Sequence, residues 1–72
     1  MDISRFTTDL DLLVEKLNAM RGQVETAIAT TKPGPATLLE LARLRELETQ
    51  VGRARAGAIA ARATARSLAP KS

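Results

Sequence analysis

The segment Lys32-Pro33-Gly34-Pro35 decides how this chain folds, because it is the only cluster of proline and glycine in the sequence. A residue before a proline is driven out of the helical region of backbone dihedrals, so a helix arriving from the N-terminal side ends near Lys32. Pro35 suits the first turn of a new helix, where its missing N–H is not needed. The sequence therefore predicts two helices joined by a sharp turn at Pro33, Gly34 and Pro35.

Apolar residues on both sides of this turn recur at alternating spacings of three and four, which is typical of helices packed lengthwise. The first such series runs from Ile3 through Phe6 to Ala27, and the second runs from Leu44 to Leu68. We therefore predict an all-α fold, an antiparallel two-helix hairpin of coiled-coil type. The residues expected to form the seam between its helices are Leu10, Leu13, Leu17, Met20, Val24, Leu44, Leu47 and Val51.

The element boundaries follow from the same signals. We predict helix one at about residues 3–31, the turn at 32–35, helix two at about 36–68 and a short polar tail at 69–72. Thr7 or Thr8 could instead cap helix one, which would leave residues 1–7 extended. Thr37 followed by Glu40 fits a capping box at the start of helix two. Pro70 is expected to stop that helix.

The composition excludes several classes of protein. The 72 residues allow one domain, and a chain of this length buries only about 60% of its unfolded surface. The chain has no Cys and no His, so disulfides, thiolate metal sites and the commonest general base are missing. We therefore expect no enzyme, no catalytic residues, no metal and no cofactor. We expect the core to be completed by other copies or by a partner protein.

Membrane insertion is not expected either. No stretch approaches the ~20 continuous apolar residues of a membrane span. The first residues lack the apolar core of a signal peptide, so export, if it occurs, would follow a signal-peptide-independent route.

Further apolar residues lie off the predicted seam. One interpretation is a second interface, used for self-assembly or for a partner protein. The other is that they widen a single core face and cover the turn. The residues concerned are Leu12, Val14, Leu38, Leu39, Leu41 and Ile59.

Helix two also carries basic residues on one predicted face. The net charge is +3, and five bases but no acid follow Glu48. Such a stripe could bind nucleic-acid phosphates, although no stacking aromatics or base-reading residues accompany it. A charge-matched subunit contact or an exposed solubilising face fits better. The basic face comprises Arg53, Arg55, Arg62 and Arg66.

Small residues repeat at four-residue spacing in the same helix, from Gly52 and again from Gly57. They could permit close approach of helix backbones, or could simply reflect a high alanine content. Gly22, in the middle of helix one, either marks a close approach or weakens that helix by about 1 kcal/mol.

The region around the turn resembles a known family. Residues 24–29 (VETAIA) and 32–41 (KPGPATLLEL) resemble the hinge of type III secretion needle subunits, in which an Ala-Ile helix end precedes a proline-containing turn and Pro-Ala-Leu-Leu. Residues 4–11 (SRFTTDLD) resemble the start of some members. The resemblance covers about residues 4–50. It implies a helical hairpin that polymerises through its helices and is exported from a bacterial cell.

Three functions remain open from the sequence. The first is a non-catalytic, needle-like structural subunit of a type III secretion apparatus that self-associates. The second is a small cytoplasmic co-chaperone of such a system, which is similar in size and shape and would bind a partner helix. The third is a small basic hairpin that binds nucleic acid, which we regard as the least favoured.

Overall fold

A computed structural model of the chain describes residues 2–68 and confirms the predicted fold class. Helix α1 comprises Ile3–Thr30 and helix α2 comprises Leu38–Ser67. The two helices pack side by side in opposite directions, and the molecule measures 59 × 14 × 14 Å. The fold is therefore an all-α, antiparallel two-helix hairpin.

Helix α1 begins at its predicted residue. The Asp2 side chain accepts a hydrogen bond from the backbone N–H of Arg5 at 3.1 Å, which satisfies one of the free donors at the helix start. Thr7 and Thr8 lie within the helix, and their hydroxyls donate to the carbonyls of Ile3 or Ser4. The alternative of an extended segment over residues 1–7 is therefore wrong for the described part of that segment.

The connection between the helices is longer than predicted. Residues 31–37 are non-helical, because Thr37 folds back on the turn. Its backbone N–H donates to the Gly34 carbonyl at 3.0 Å and its hydroxyl donates to the Lys32 carbonyl at 2.6 Å. The predicted capping box is wrong, since Thr37 occupies the N-cap position without a side-chain capping bond. Gly34 does not adopt a positive φ, so the turn does not depend on glycine's left-handed freedom.

Helix α2 ends one residue before the predicted limit, and the Leu68 N–H donates to the Ala65 carbonyl at 3.1 Å. The predicted tail at 69–72, with Pro70, lies outside the described residues.

The seam between the helices is narrow and consists of small or medium side chains. The four members of its central cluster are Val14, Leu17, Val51 and Ala58. Val24 and Ala65 extend the buried line towards the two ends of the hairpin. We call these six residues the seam.

Five of the eight predicted seam positions are buried or partly buried, and three are exposed. Leu17, Val24 and Val51 are buried, and Leu10 and Leu44 are partly buried. The alternate positions are wrong: Leu13, Met20 and Leu47 are 41–44% exposed. On α1 the row beginning at Thr7 and continuing through Val14 faces α2 in their place. Each helix is therefore rotated about its own axis, relative to the predicted orientation, by less than the angle between two successive residues.

Polar contacts across the seam explain this rotation. With Val14 rather than Leu13 inside, Asp11 lies on the side of α1 that Arg62 and Arg66 can reach. The predicted rotation would turn Asp11 away from α2 and leave it without these partners. Periodicity could not distinguish the two rotations, because residues 13 and 14 are both apolar.

The hairpin exposes more surface than a compact protein of its mass. Mass scaling gives roughly 4,300 Å² for a monomer of this size, whereas the 7.7 kDa chain exposes 5555 Å². Its radius of gyration is 16.7 Å, against roughly 11 Å for a compact domain of equal length. No side chain in the described residues is completely buried. Two helices alone thus give only a thin core.

Candidate interaction surface

One side of the hairpin is polar, and side-chain hydrogen bonds join α1 to α2 there. The Asp11 carboxylate accepts hydrogen bonds from Arg62 at 3.1 Å and from Arg66 at 3.4 Å. The Asn18 side-chain oxygen accepts a further bond from Arg55. These contacts connect the first part and the middle of α1 to the C-terminal half of α2. They therefore fix the antiparallel register.

These contacts also change the meaning of the predicted basic face. Arg55, Arg62 and Arg66 do share one side, but that side borders the seam and each guanidinium already has an oxygen partner. Arg53 is exposed and makes no side-chain hydrogen bond within residues 2–68. The stripe consequently offers less unpaired positive charge to an external anion than the sequence indicates.

The other side of the hairpin is apolar and exposed. On α1, three residues at seven-residue spacing are 41–48% exposed: Phe6, Leu13 and Met20. On α2 the corresponding row repeats at the same spacing from Leu47 to Leu68 and includes two exposed alanines. We call this surface the apolar flank; it comprises Phe6, Leu13, Met20, Leu47, Ala54, Ala61 and Leu68.

The two rows of the apolar flank lie on the same side of the molecule. Asp11 and Arg66 bond across one edge of the seam. Leu13 and Ala61 lie on the opposite edge of their helices. Each immediately precedes a residue of a row that faces the other helix, so both are displaced from that row in the same sense around the helix. In an antiparallel pair, residues displaced in the same sense lie on the same side of the molecule. The flank is therefore one continuous surface on one side of the hairpin, from Leu47 to Phe6 and Leu68 at the open end.

The predicted second interface is partly corrected. Leu12, Leu38 and Leu39 are 59–69% exposed and point away from the seam. Val14 is only 6% exposed and belongs to the seam, so its assignment to an external interface is wrong. Ile59 packs against the central cluster, and Leu41 is half-buried on the row of α2 that faces α1. These two residues are also not free for an external partner.

The second apolar surface consists largely of residues that the seven-residue pattern predicts inside the seam. These are Leu13, Met20 and Leu47, and the same pattern continues through Ala54 and Ala61. The missed signal was the position of Asp11 and Asn18 relative to the arginines of α2. Their bonds select the other rotation and thereby expose the flank.

The glycines do not mark close contacts between α1 and α2. A Cβ atom added at Gly22, Gly52 or Gly57 would meet no neighbouring atom within 4 Å. Of the two interpretations left open by the sequence, close approach of backbones is therefore not found between α1 and α2.

Clusters of metal-ligating side chains and enclosed pockets are both missing from the described residues. Within residues 2–68 no three acidic side chains come together as a metal site, and this part of the chain encloses no pocket. Neither helix combines the length and apolar character needed to cross a membrane. Comparison with models of protein families, with curated proteins and with solved structures finds no match. The apolar flank is the candidate functional surface because its large apolar side chains are exposed and aligned on one side of the hairpin.

Proposed function

We propose that this chain is a non-catalytic assembly protein whose apolar flank packs against helices of another protein chain. The observation that carries the proposal is the flank itself: five large apolar side chains, each 41–60% exposed, aligned on one side of a hairpin with a thin core. Exposed apolar side chains scattered singly are normal, but a continuous row marks an interaction surface.

Burial of the flank contributes favourable free energy to association, which must exceed the cost of about 4–15 kcal/mol for the lost freedom of two separate chains. Burying the exposed half of a large apolar side chain contributes about 1 kcal/mol. Five such residues make a contribution comparable to the whole stability of a small domain. The isolated hairpin lacks this contribution. A helical partner bound to the flank would therefore stabilise the folded hairpin.

Unfolding of the dilute chain in urea tests this proposal. Below the concentration at which chains associate, we expect a broad transition that begins at low urea, because the seam alone is small. Circular dichroism at 222 nm, a wavelength that reports helix content, would follow the transition. A steep transition with a midpoint above about 4 M urea in a chain shown to be monomeric would contradict the proposal, since such a hairpin would need no partner.

A needle-like subunit of a type III secretion apparatus is the second candidate. A filament requires two different surfaces on each subunit, because one surface of each subunit binds the other surface of the next without closing a ring. Leu12, Leu38 and Leu39 supply apolar surface outside the flank. The resemblance of residues 24–41 to the needle hinge adds to this candidate.

Electron microscopy of concentrated protein would test for filaments. The variant Leu39→Asp should keep its helix content and lose the filaments, because Leu39 lies outside the seam. If the unsubstituted protein forms only small closed species at high concentration, the filament candidate is wrong. A hairpin that clasps one partner helix, as a co-chaperone would, then becomes the stronger form of the proposal.

A further inference from the structure

We propose that the occupant of the apolar flank is a second copy of this chain, so that two hairpins form a four-helix bundle. This inference rests on the proposed function and makes it more specific. It commits to a closed pair of identical hairpins, rather than to a filament or a foreign helix. The argument depends on the area, the register and the side-chain sizes of the flank.

The flank covers part of one side of the hairpin. Its longer row, from Leu47 near the turn to Leu68 at the open end, rises about 32 Å, whereas the molecule is 59 Å long. One whole side of a body of 59 × 14 Å covers roughly 800 Å², which is about the area that each partner contributes to a standard protein interface. A second hairpin packed on this side would cover both rows of the flank and the residues that border them, whereas a single short helix would cover only part of the flank.

The contacts across the seam determine which residues of the flank lie at the same level, that is, at the same position along the long axis of the hairpin. Asp11 meets Arg62, and Asn18 meets Arg55, so the residue numbers of neighbours across the seam add up to about the same value. By this register Leu13 lies level with Ala61. One heptad further along α1, Met20 lies level with Ala54. Each of these levels thus combines one large and one small side chain.

This combination is self-complementary. A two-fold axis parallel to the hairpin keeps every level in place and sets α1 of one copy against α2 of the other. Each central layer of the bundle would then contain two large and two small side chains, which fill a four-helix core evenly. Ala27 and Leu47 continue the pattern towards the turn with the sizes reversed.

Charge selects the same arrangement. A two-fold axis perpendicular to the hairpin would place the turns at opposite ends and bring Leu13 of one copy level with Met20 of the other. Lys16, which borders the flank, would then face the same lysine of the second copy. The parallel axis instead places Lys16 near Gly57, without a like-charge contact. We therefore infer that both turns lie at the same end of the dimer.

A pair of neighbouring alanines provides a matched test. Ala61 belongs to the flank, whereas Ala60 is exposed on the face directed away from α1. The variants Ala61→Glu and Ala60→Glu have equal charge, equal helix propensity and no change in the seam. Sedimentation equilibrium should give twice the 7.7 kDa chain mass for the unsubstituted protein and for Ala60→Glu. It should give the mass of a single chain for Ala61→Glu at the same concentration.

Other outcomes overturn the dimer and are distinguishable from failure of the proposed function. A monomer at all concentrations with the broad urea transition described above would overturn the dimer but leave an assembly protein that needs a foreign helix. A monomer with a steep, late transition would overturn both. Species that grow without limit, or equal dissociation of both variants, would overturn the closed dimer through this flank.

The orientation can be tested separately, because the chain has no cysteine of its own. A spin label on Ala36→Cys places one probe beside each turn. Pulsed electron resonance should give a short distance between the two labels of a dimer if both turns lie at one end. A distance near the 59 Å length of the hairpin would overturn the parallel two-fold arrangement.

Discussion

The contacts of Asp11 with α2 depend on the rotation of the two helices. Asp11 accepts hydrogen bonds from two arginines that are one helical turn apart, Arg62 and Arg66. Partly exposed ion pairs contribute only about 0.2–1 kcal/mol each, so their value lies in orientation rather than in overall stability. Once Asp11 faces these arginines, Val14 lies inside and Leu13 lies on the flank.

The different environments of Val14 and Leu13 can be measured directly. Val14→Ala should lower the free energy of unfolding by roughly 2 kcal/mol, because it removes buried methyl groups from the central cluster. Leu13→Ala should lower it by less, despite removing a larger side chain, since Leu13 is 44% exposed. Both should be measured by urea unfolding in the Ala61→Glu background, so that association does not contribute. The reverse order would mean that Leu13 occupies the seam.

Gly22 provides a prediction in the opposite direction. It lies inside α1 with open space around the position of a Cβ atom. Gly22→Ala should therefore raise the free energy of unfolding by about 1 kcal/mol, because alanine is the stronger helix former. Gly22 also lies away from the apolar flank, so the mass in sedimentation equilibrium should not change. Destabilisation would indicate a close contact at this position.

At the scale of the elements, the turn shows what the sequence can and cannot predict. Prolines restrict the backbone locally, so the existence and place of the turn were predictable. The length of the turn was not predictable, because it depends on whether the Thr37 hydroxyl turns towards Glu40 or back to Lys32. In the structure it donates to the carbonyls of Lys32 and Gly34. Helix α2 consequently begins at Leu38.

Removal of the Thr37 hydroxyl tests its role in closing the turn. Thr37→Val keeps the shape of the side chain but leaves the carbonyls without this donor, which should cost about 1 kcal/mol. Thr64→Val is the control, since the Thr64 hydroxyl donates to the Ala60 carbonyl within its own helix. Urea unfolding should show a change of a few tenths of a kcal/mol at most for the control. Equal effects would show that Thr37 has no special function in the turn.

At the scale of the whole molecule, the fold class followed from the turn and the seven-residue repeat. The candidate surface did not, because an apolar row beside the seam and one inside it have the same period. The distinction required contacts between residues far apart in the sequence, such as Asn18 with Arg55. The predicted need for further packing remains a prediction, supported by an exposed surface of 5555 Å².

The most direct test of this need is the melting temperature as a function of protein concentration. Circular dichroism over a thousandfold range should show that the melting temperature rises steadily with concentration, because association stabilises only the folded chain. For Ala61→Glu the melting temperature should be low and independent of concentration. A high, concentration-independent melting temperature shared by both proteins would contradict the account, because the hairpin would then be complete by itself.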